Sequence, residues 1–393
     1  MNPMLRLSRR ARWAVPGGVL AVTAAITAGS MITIAQASPE LPARTPAQLL
    51  AAAAGHTGVP PALTGTVVET ASLGIPDLPS TGSPTSITSL LAGSHTLKVW
   101  YADPEHIRLA VPVTMSETDL IRNGSTVWIW QSQGNTVTRM LLPAKADGAP
   151  EATPAPAGTP LTPQQAAQQV LAAVGPSTTV SVDPAATVAG QAAYELVLAP
   201  KSSSSLIGKV TIALDGQHTD VPLRVQVFAR GATTPAFQVG YTSVDFVKPA
   251  AANFDFTPPP GAKVTTTGST GSSPAHQANP QQSAPKVLGQ DWLSVAVLPA
   301  DALSGISGSG NAASAAGQAA QNVGGSPGAG SGSVDSAAIL GALLKAATPV
   351  HGTWGSGKLL RTSLVSILIT DSGKVLVGSV TPAVLYSAAA QVK

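Results

Sequence analysis

The chain has 393 residues, of which 10% are charged and 4% aromatic, and its formal net charge at pH 7 is +3. This length is sufficient for two domains with a sizeable core, and the small net charge gives no basic patch that would favour nucleic acid as a partner. The chain has no cysteine, which excludes disulfides, thiolate metal sites, a cysteine nucleophile and a thiol-linked lipid anchor.

Residues 1–37 have the pattern of an export signal. An apolar run at 19–35 is followed by the small-x-small sequence Ala35-Gln36-Ala37, and it is preceded by the basic residues Arg6, Arg9, Arg10 and Arg12. The run is longer than a typical cleaved signal and slightly short of a full membrane span. Both a cleaved signal peptide and an N-terminal membrane anchor are therefore open, and either one places the remainder outside the cytoplasm.

The first part of the exported chain predicts one helix and then strands. Thr45 is a candidate N-cap and Pro46 the first helical residue of a helix that ends at Gly55. Apolar and β-branched residues then predict strands at 62–71, 96–101 and 107–115. The intervening residues favour a loop at 72–86 and a short helix at 87–93.

A meander is predicted at 119–143. Asn123-Gly124 is typical of a type I′ hairpin turn, and the strand after it alternates Val127 and Ile129 with Trp128 and Trp130. Both faces of this strand are apolar. Two interpretations remain: a sandwich core with both faces covered, or a curved sheet with a helix on one side and an apolar ligand cavity on the other.

The next part repeats the order of one helix followed by strands. A Pro/Ala-rich connector at 144–162 leads to Thr162 as N-cap and to a helix through Val174. Hairpin-length steps then predict antiparallel strands at 180–183, 187–188, 191–198, 206–214, 223–229, 237–246 and 253–257. Two helices cannot cover both faces of such a sheet. One face must therefore meet solvent, a lid or a ligand.

The C-terminal part predicts a small α+β domain at 287–393, after a linker at 264–286. Its strands are expected at 292–298, 359–370 and 374–381, and its helices at 336–347 and from Pro382 to about Gln391. A Gly/Ala/Ser segment at 304–333 has no apolar period and favours a disordered loop.

Several motifs together resemble a known family. They are the Asn123–Trp128 hairpin, the DVPLRV run at 220–225, Val244-Asp245-Phe246, and the FDFTPP run at 254–259. In this order they are similar to the LolA/RseB-like lipoprotein-carrier superfamily, actinobacterial type, over about 39–264. The resemblance implies an α+β fold: an unclosed antiparallel β half-barrel at 38–263 with covering helices, plus the small C-terminal α+β domain.

The resemblance also implies that acyl chains bind in the apolar concavity. The candidate lipid-binding residues are aromatic and lie on predicted strands: Trp100, Trp128, Trp130, Phe228, Phe237 and Tyr241. The alternative is that they pack in the core against the helices. The 72–86 loop is either a lid over the ligand or a plain surface loop.

The sequence predicts no catalytic, metal or cofactor site. The run 352–358 (GTWGSGK) nearly spells a phosphate-binding loop, but Leu359 stands where a Mg²⁺-binding Ser or Thr is required, and a strand rather than a helix follows. It is predicted to be a turn. The six histidines have no ligand spacing, and no pair of carboxylates has local support for acid–base chemistry. An enzyme is therefore not expected.

Two functional hypotheses follow. In the first, an extracytoplasmic protein at the outer face of the cytoplasmic membrane carries or senses acyl lipids or lipoprotein acyl chains. In the second, the half-barrel is an RseB-like regulatory sensor or scaffold that binds a membrane protein of the anti-sigma type without transport.

Overall fold

A computed structural model describes residues 39–55, 60–74, 92–113, 115–142, 160–172, 174–217, 220–267, 286–299 and 346–392. The described residues from Pro39 onward belong to one compact unit. The predicted export signal, most of the 72–86 loop, most of the connector, the 304–333 segment and most of the helix at 336–347 lie outside the described residues. Among the residues described, no helix combines the length and apolar character needed to cross a membrane.

The larger of two sheets has twelve strands. They follow the order β12-β6-β5-β4-β3-β2-β1-β11-β10-β9-β8-β7 and comprise β1 Leu63–Ser72, β2 Ala92–Asp103, β3 His106–Val113, β4 Ser116–Asn123, β5 Thr126–Gln131, β6 Thr136–Leu141, β7 Thr178–Val188, β8 Gln191–Pro200, β9 Ile207–Asp215, β10 Pro222–Ala229, β11 Phe237–Asp245 and β12 Lys263–Thr267. All pairings are antiparallel except β12 with β6, which is parallel. Because β7 and β12 remain at opposite edges, the sheet is not closed, and the predicted half-barrel of the α+β class is confirmed.

Two helices, α1 (Pro46–Gly55) and α2 (Pro163–Ala172), pack on the same face of this sheet. Each begins with a capping box. The Thr45 hydroxyl accepts from the Gln48 amide at 3.2 Å while the Gln48 side chain accepts from the Thr45 amide at 2.8 Å. Thr162 and Gln165 make the same reciprocal pair at 3.3 and 3.0 Å. Both predicted N-caps are thereby confirmed.

We call the helix-covered face of the large sheet the inner face and the opposite one the outer face. The two halves of the sheet join through the antiparallel pairing of β1 with β11. Inner-face side chains and helix residues form one core cluster, whose fully buried members include Leu49, Val67, Leu97, Leu196, Ile212 and Val239.

The smaller sheet has six strands in the order β13-β14-β18-β17-β16-β15. Their bounds are β13 Lys286–Leu288, β14 Val295–Pro299, β15 Thr348–Gly352, β16 Gly355–Arg361, β17 Ser366–Thr370 and β18 Lys374–Gly378. Helix α3 (Pro382–Gln391) packs on it around a separate core that contains Leu368, Leu376 and Leu385. The near-P-loop run lies in the β15–β16 hairpin, so the predicted turn is confirmed. The exact domain boundary at 264–286 stays a prediction.

The residues between β11 and β12, 246–262, form what we call the strap. A strand was expected at 253–257. Instead, a 3₁₀ turn at Ala251–Asn253 leads into an extended segment that pairs with no strand. Phe254 is only 2% exposed, and the Phe256 ring lies 5.5 Å from the Trp128 ring on the outer face. The aromatic side chains therefore dock this segment onto the sheet, and no backbone ladder holds it.

Four other local expectations are corrected. The first hairpin turns at Gly124-Ser125, because Asn123 pairs with Thr126 and only Gly124 has positive φ, at 61°. The predicted strand at 359–370 divides into β16 and β17, since the Thr362 hydroxyl accepts from the amides of residues 364 and 365 and forms a turn. Residues 92–93 begin β2 rather than end a helix, and residues 264–267 belong to β12 although a linker was expected from residue 264.

Candidate functional site

Rows of apolar side chains cross the inner face. On one half, Val99, Leu109, Leu120 and Ile129 stand opposite one another across β2 to β5. On the other half the corresponding row crosses β8 to β11 through Leu196, Ile212, Val225 and Val239. Side chains directly opposite on neighbouring strands share a face, so these rows give the helices a surface without charges.

Helix α2 lies between two cavities on this face. The larger, which we call the major cavity, has a volume of 530 Å³. The sheet lines it with Val210, Val225 and Val227, α2 lines it with Ala166 and Val170, and the small-sheet part lines it with Trp292, Ala296 and Val377. Three separate elements thus enclose one apolar space.

The second space, the minor cavity, has a volume of 310 Å³. Its sheet wall is apolar and includes Leu63, Val99, Leu109 and Leu120. Its helix wall is polar and consists of Thr162, Gln164, Gln165 and Gln168. Ala166, Gln169 and Val170 of α2 therefore face the major cavity, and its other glutamines face the minor one.

One carboxylate interrupts the apolar rows. Glu69 stands opposite Val239 on β11 and His95 on β2, and it is only 4% exposed. Its Oε2 accepts a hydrogen bond from the Leu161 amide at 3.1 Å, just before α2 begins. Burial raises the pKa of the Glu69 carboxyl, while this hydrogen bond and His95 act in the opposite direction. Glu69 therefore fastens the start of α2 to the sheet.

We expect Glu69→Leu to loosen α2, because the Leu161 amide would lose its acceptor at a cost of about 1–3 kcal/mol. Glu69→Gln keeps an acceptor oxygen and should behave like the unmodified protein. Hydrogen exchange measured by mass spectrometry on peptides covering 161–172 checks this. Equal exchange in the Leu and Gln variants would show that the hydrogen bond does not hold the helix.

Two of the six predicted lipid-binding residues reach a cavity. Phe237 lines the major cavity and Tyr241 the minor one. Tyr241 is 8% exposed, and burial raises the pKa of its phenol. For these two residues the sequence pattern and the cavity geometry agree, and their contact with lipid stays a prediction.

The other four line neither cavity and lie on the outer face. The Arg108 guanidinium lies 5.2 Å from the centre of the Trp100 ring, and the Arg139 guanidinium lies at the same distance from the centre of the Trp128 ring. The remaining two also have outer-face neighbours: Phe256 packs near Trp130 at 6.5 Å, and the Lys209 ammonium lies 5.0 Å from the ring of Phe228. Trp100, Trp128 and Trp130 therefore do not form the expected cavity wall, and Phe256 of the strap and two arginines lie against their rings instead. Both cavity walls are mostly aliphatic.

Sequence reasoning missed most of the cavity wall. In β10 the alternation of Leu223, Val225 and Val227 with Arg224 and Gln226 signals an inner-facing apolar row. In contrast, Trp292 lies in a 3₁₀ turn, Asp291–Leu293, rather than in the expected strand. Its arrival beside α2 depends on long-range packing that no local pattern encodes.

The described residues contain no group of three or more His, Asp or Glu side chains placed to hold a metal ion. The buried carboxylate Asp119 pairs with Arg108 at 2.5 Å on the outer face, away from both cavities.

Comparisons with known proteins give matches among solved structures only; no family model and no curated protein matches the chain. The complex of MucA and MucB from Pseudomonas aeruginosa is 14% identical, with a TM-score of 0.37, and the match covers 87% of this chain and 95% of that one.

Two further solved structures are similar. LprF from Mycobacterium bovis is 12% identical with a TM-score of 0.28, covering 55% of this chain and 95% of that one. A LolA superfamily protein from Nitrosomonas europaea is 11% identical with a TM-score of 0.22, covering 55% and 99%. These likenesses concern the fold alone, so the cavities themselves must carry the inference about function.

Proposed function

We propose that this protein binds the acyl chains of a lipid or lipoprotein in the major cavity, outside the cytoplasm, as a carrier or sensor and not as an enzyme. The observation that carries the proposal is the apolar wall of this 530 Å³ space. Small-molecule sites in proteins typically measure about 300–1,000 Å³ and are mostly apolar with few polar groups.

The energetics of such a site are favourable without any specific polar constellation. Each buried CH₂ group contributes about 0.8 kcal/mol, so a long acyl chain gains several kcal/mol after association costs are subtracted. The wall suits this purpose, because Val210 and Val225 are each 1% exposed and Ala166 is 5% exposed. Gln169 and Asp291 are exposed lining residues and mark the side open to solvent.

The proposal is tested by filling the cavity. Ala296→Trp places an indole inside the major cavity, and Val247→Trp is the control, because Val247 is 69% exposed and lines neither cavity. We expect acyl lipid to co-purify with the exported full chain and with the control, and to fall at least about tenfold in Ala296→Trp, since the indole occupies the space of several CH₂ groups. Native mass spectrometry and lipid extraction measure this.

Folding of both variants is checked by circular dichroism. The proposal fails if the unmodified protein carries no lipid and also takes up no fluorescent acyl probe. The alternative from the sequence, an RseB-like sensor or scaffold for a membrane protein partner, would then become the leading hypothesis, with pull-down from membranes as its test.

A further inference from the structure

The major cavity has a charged group at its solvent side. Among the residues that line it, Asp291 alone is ionisable; the other polar side chains are Gln169, Ser294 and Ser379. Asp291 begins the 3₁₀ turn Asp291–Leu293 and has φ of 52°, in the left-handed region. An acyl chain that fills the apolar interior would bring its polar end towards this carboxylate.

The position of Asp291 is fixed by contacts with the turn that follows α2. The Ser177 hydroxyl donates to Asp291 Oδ2 at 2.8 Å, and the Trp292 indole donates to the Thr178 hydroxyl at 2.7 Å. A Cβ atom at Gly175 would lie 3.3 Å from both carboxylate oxygens of Asp291, so the backbone approaches the carboxylate closely there. The negative charge is thus held in place at the edge of the cavity.

Asp291 forms no ion pair within the part of the chain that the structure describes. No Lys, Arg or His there lies within 4.0 Å of the Asp291 carboxylate. Lys201 belongs to the same region, but its ammonium donates to the Pro176 carbonyl at 2.7 Å and it does not line the cavity. The Ser177 hydroxyl is a neutral donor, so it leaves the net charge unchanged.

We propose that the major cavity selects acyl chains with an uncharged polar group, such as acylglycerols, and disfavours free fatty acids and other anionic head groups. This inference rests on the proposed function and adds the chemical class of the ligand. The reason is electrostatic: a ligand carboxylate or phosphate beside Asp291 would be a like-charge pair, which interfaces use to reject wrong partners. A glycerol hydroxyl can instead donate to the same carboxylate.

The test compares two ligands with the same chain, monododecanoylglycerol and dodecanoate, each displacing the uncharged dye Nile red from the full chain at pH 8. We expect the glyceride to bind at least about fivefold more tightly than the acid, as two unit charges some 4 Å apart repel by about that factor even in water. Asp291→Asn should tighten dodecanoate by about the same factor and leave the glyceride within about twofold.

Asparagine suits this substitution because it tolerates positive φ and its side-chain oxygen still accepts from Ser177. Asp245→Asn, which removes an exposed carboxylate that lines neither cavity, is the matched control and should change neither affinity. Equal binding of both ligands to the unmodified protein would overturn the inference and leave the proposed function standing. Equal weakening of both ligands by Asp291→Asn would indicate a purely structural role and also overturn it. If neither the dye nor either ligand binds, the proposed function itself fails.

Discussion

Replacing Arg108 with Met should lower the free energy of unfolding by about 3–5 kcal/mol at pH 8, the usual cost of leaving a buried ion without its partner. Arg108 donates to the Asp119 carboxylate at 2.5 Å, and the Asp119 side chain is only 1% exposed. The guanidinium also lies over the Trp100 ring. Methionine keeps much of that apolar contact but removes the cation.

The loss of stability caused by Arg108→Met should become smaller as the pH falls. Burial, together with neighbouring Glu117, raises the pKa of Asp119 to about 6, and Arg108 acts in the opposite direction. Without Arg108 this pKa rises further, so at pH 5 the carboxyl of the Met variant is protonated and its burial costs less. Urea denaturation at pH 5, 6, 7 and 8 measures the difference.

The same raised pKa determines how the stability of the unmodified protein changes with pH. Because the folded-state pKa lies above the unfolded value, Asp119 contributes stability that is present at low pH and is lost as the pH rises through about 6. Asp119→Asn should remove this contribution to the pH dependence between about 4 and 6, the interval between the unfolded and folded pKa values.

Arg139→Met is the matched control for the Arg108 variant. Arg139 also lies over an indole, that of Trp128, but it has no carboxylate within 4.0 Å in the described parts of the chain. Arg139→Met should lower the free energy of unfolding by about 1 kcal/mol at every pH, which is within the range of a cation–π contact. A penalty for Arg108→Met that is the same at pH 5 and pH 8 would contradict the assignment of an ionised, buried Asp119.

The meander shows how far local sequence determines this fold. Alternation correctly separated Val127 and Ile129 from Trp128 and Trp130, because a strand has a strict period of two. The same strand could not reveal which face holds the cavity, since both faces are apolar. Which face is covered by the strap depends on Phe256, a strap residue distant in sequence whose ring packs near those of Trp128 and Trp130.

Turn chemistry was also predicted only to within one residue. Asn123-Gly124 indicated a hairpin, and a hairpin forms there, but Asn123 remains in β4 and pairs with Thr126. Its side-chain amide instead donates to the Phe254 carbonyl at 3.4 Å and to Asp255 at 3.2 Å in the strap. A tertiary contact thus displaces the turn from the position that local propensity favours.

The major cavity was the least predictable feature, because it needs three segments that are far apart in sequence. The alternation in β10 indicates Val225 and Val227, and the apolar side of α2 indicates Val170. Neither pattern indicates that Ala296 and Val377 of the small sheet would close the same space. Such closure follows from packing between elements, which has no local periodicity.

Replacing Phe254 with Ala should have the other large effect on stability, a loss of about 3–5 kcal/mol, as is usual when a buried aromatic ring is truncated. Phe254 is 2% exposed and its ring lies edge-on to His106, with 5.7 Å between centroids. It is the most deeply buried aromatic side chain of the strap. Its loss leaves a cavity between the strap and the outer face.

The Phe254 variant should also change the environment of Trp128 and Trp130, because a loosened strap no longer holds Phe256 against them. We therefore expect a red shift of tryptophan emission under native conditions and a lower urea concentration at the midpoint of unfolding. Val247→Ala in the same strap is the control, since Val247 is 69% exposed and surface substitutions usually change stability by less than about 0.5 kcal/mol. A Phe254→Ala variant as stable as this control would mean that the β12–β6 pairing alone holds the strap, and that the FDF sequence is not its anchor.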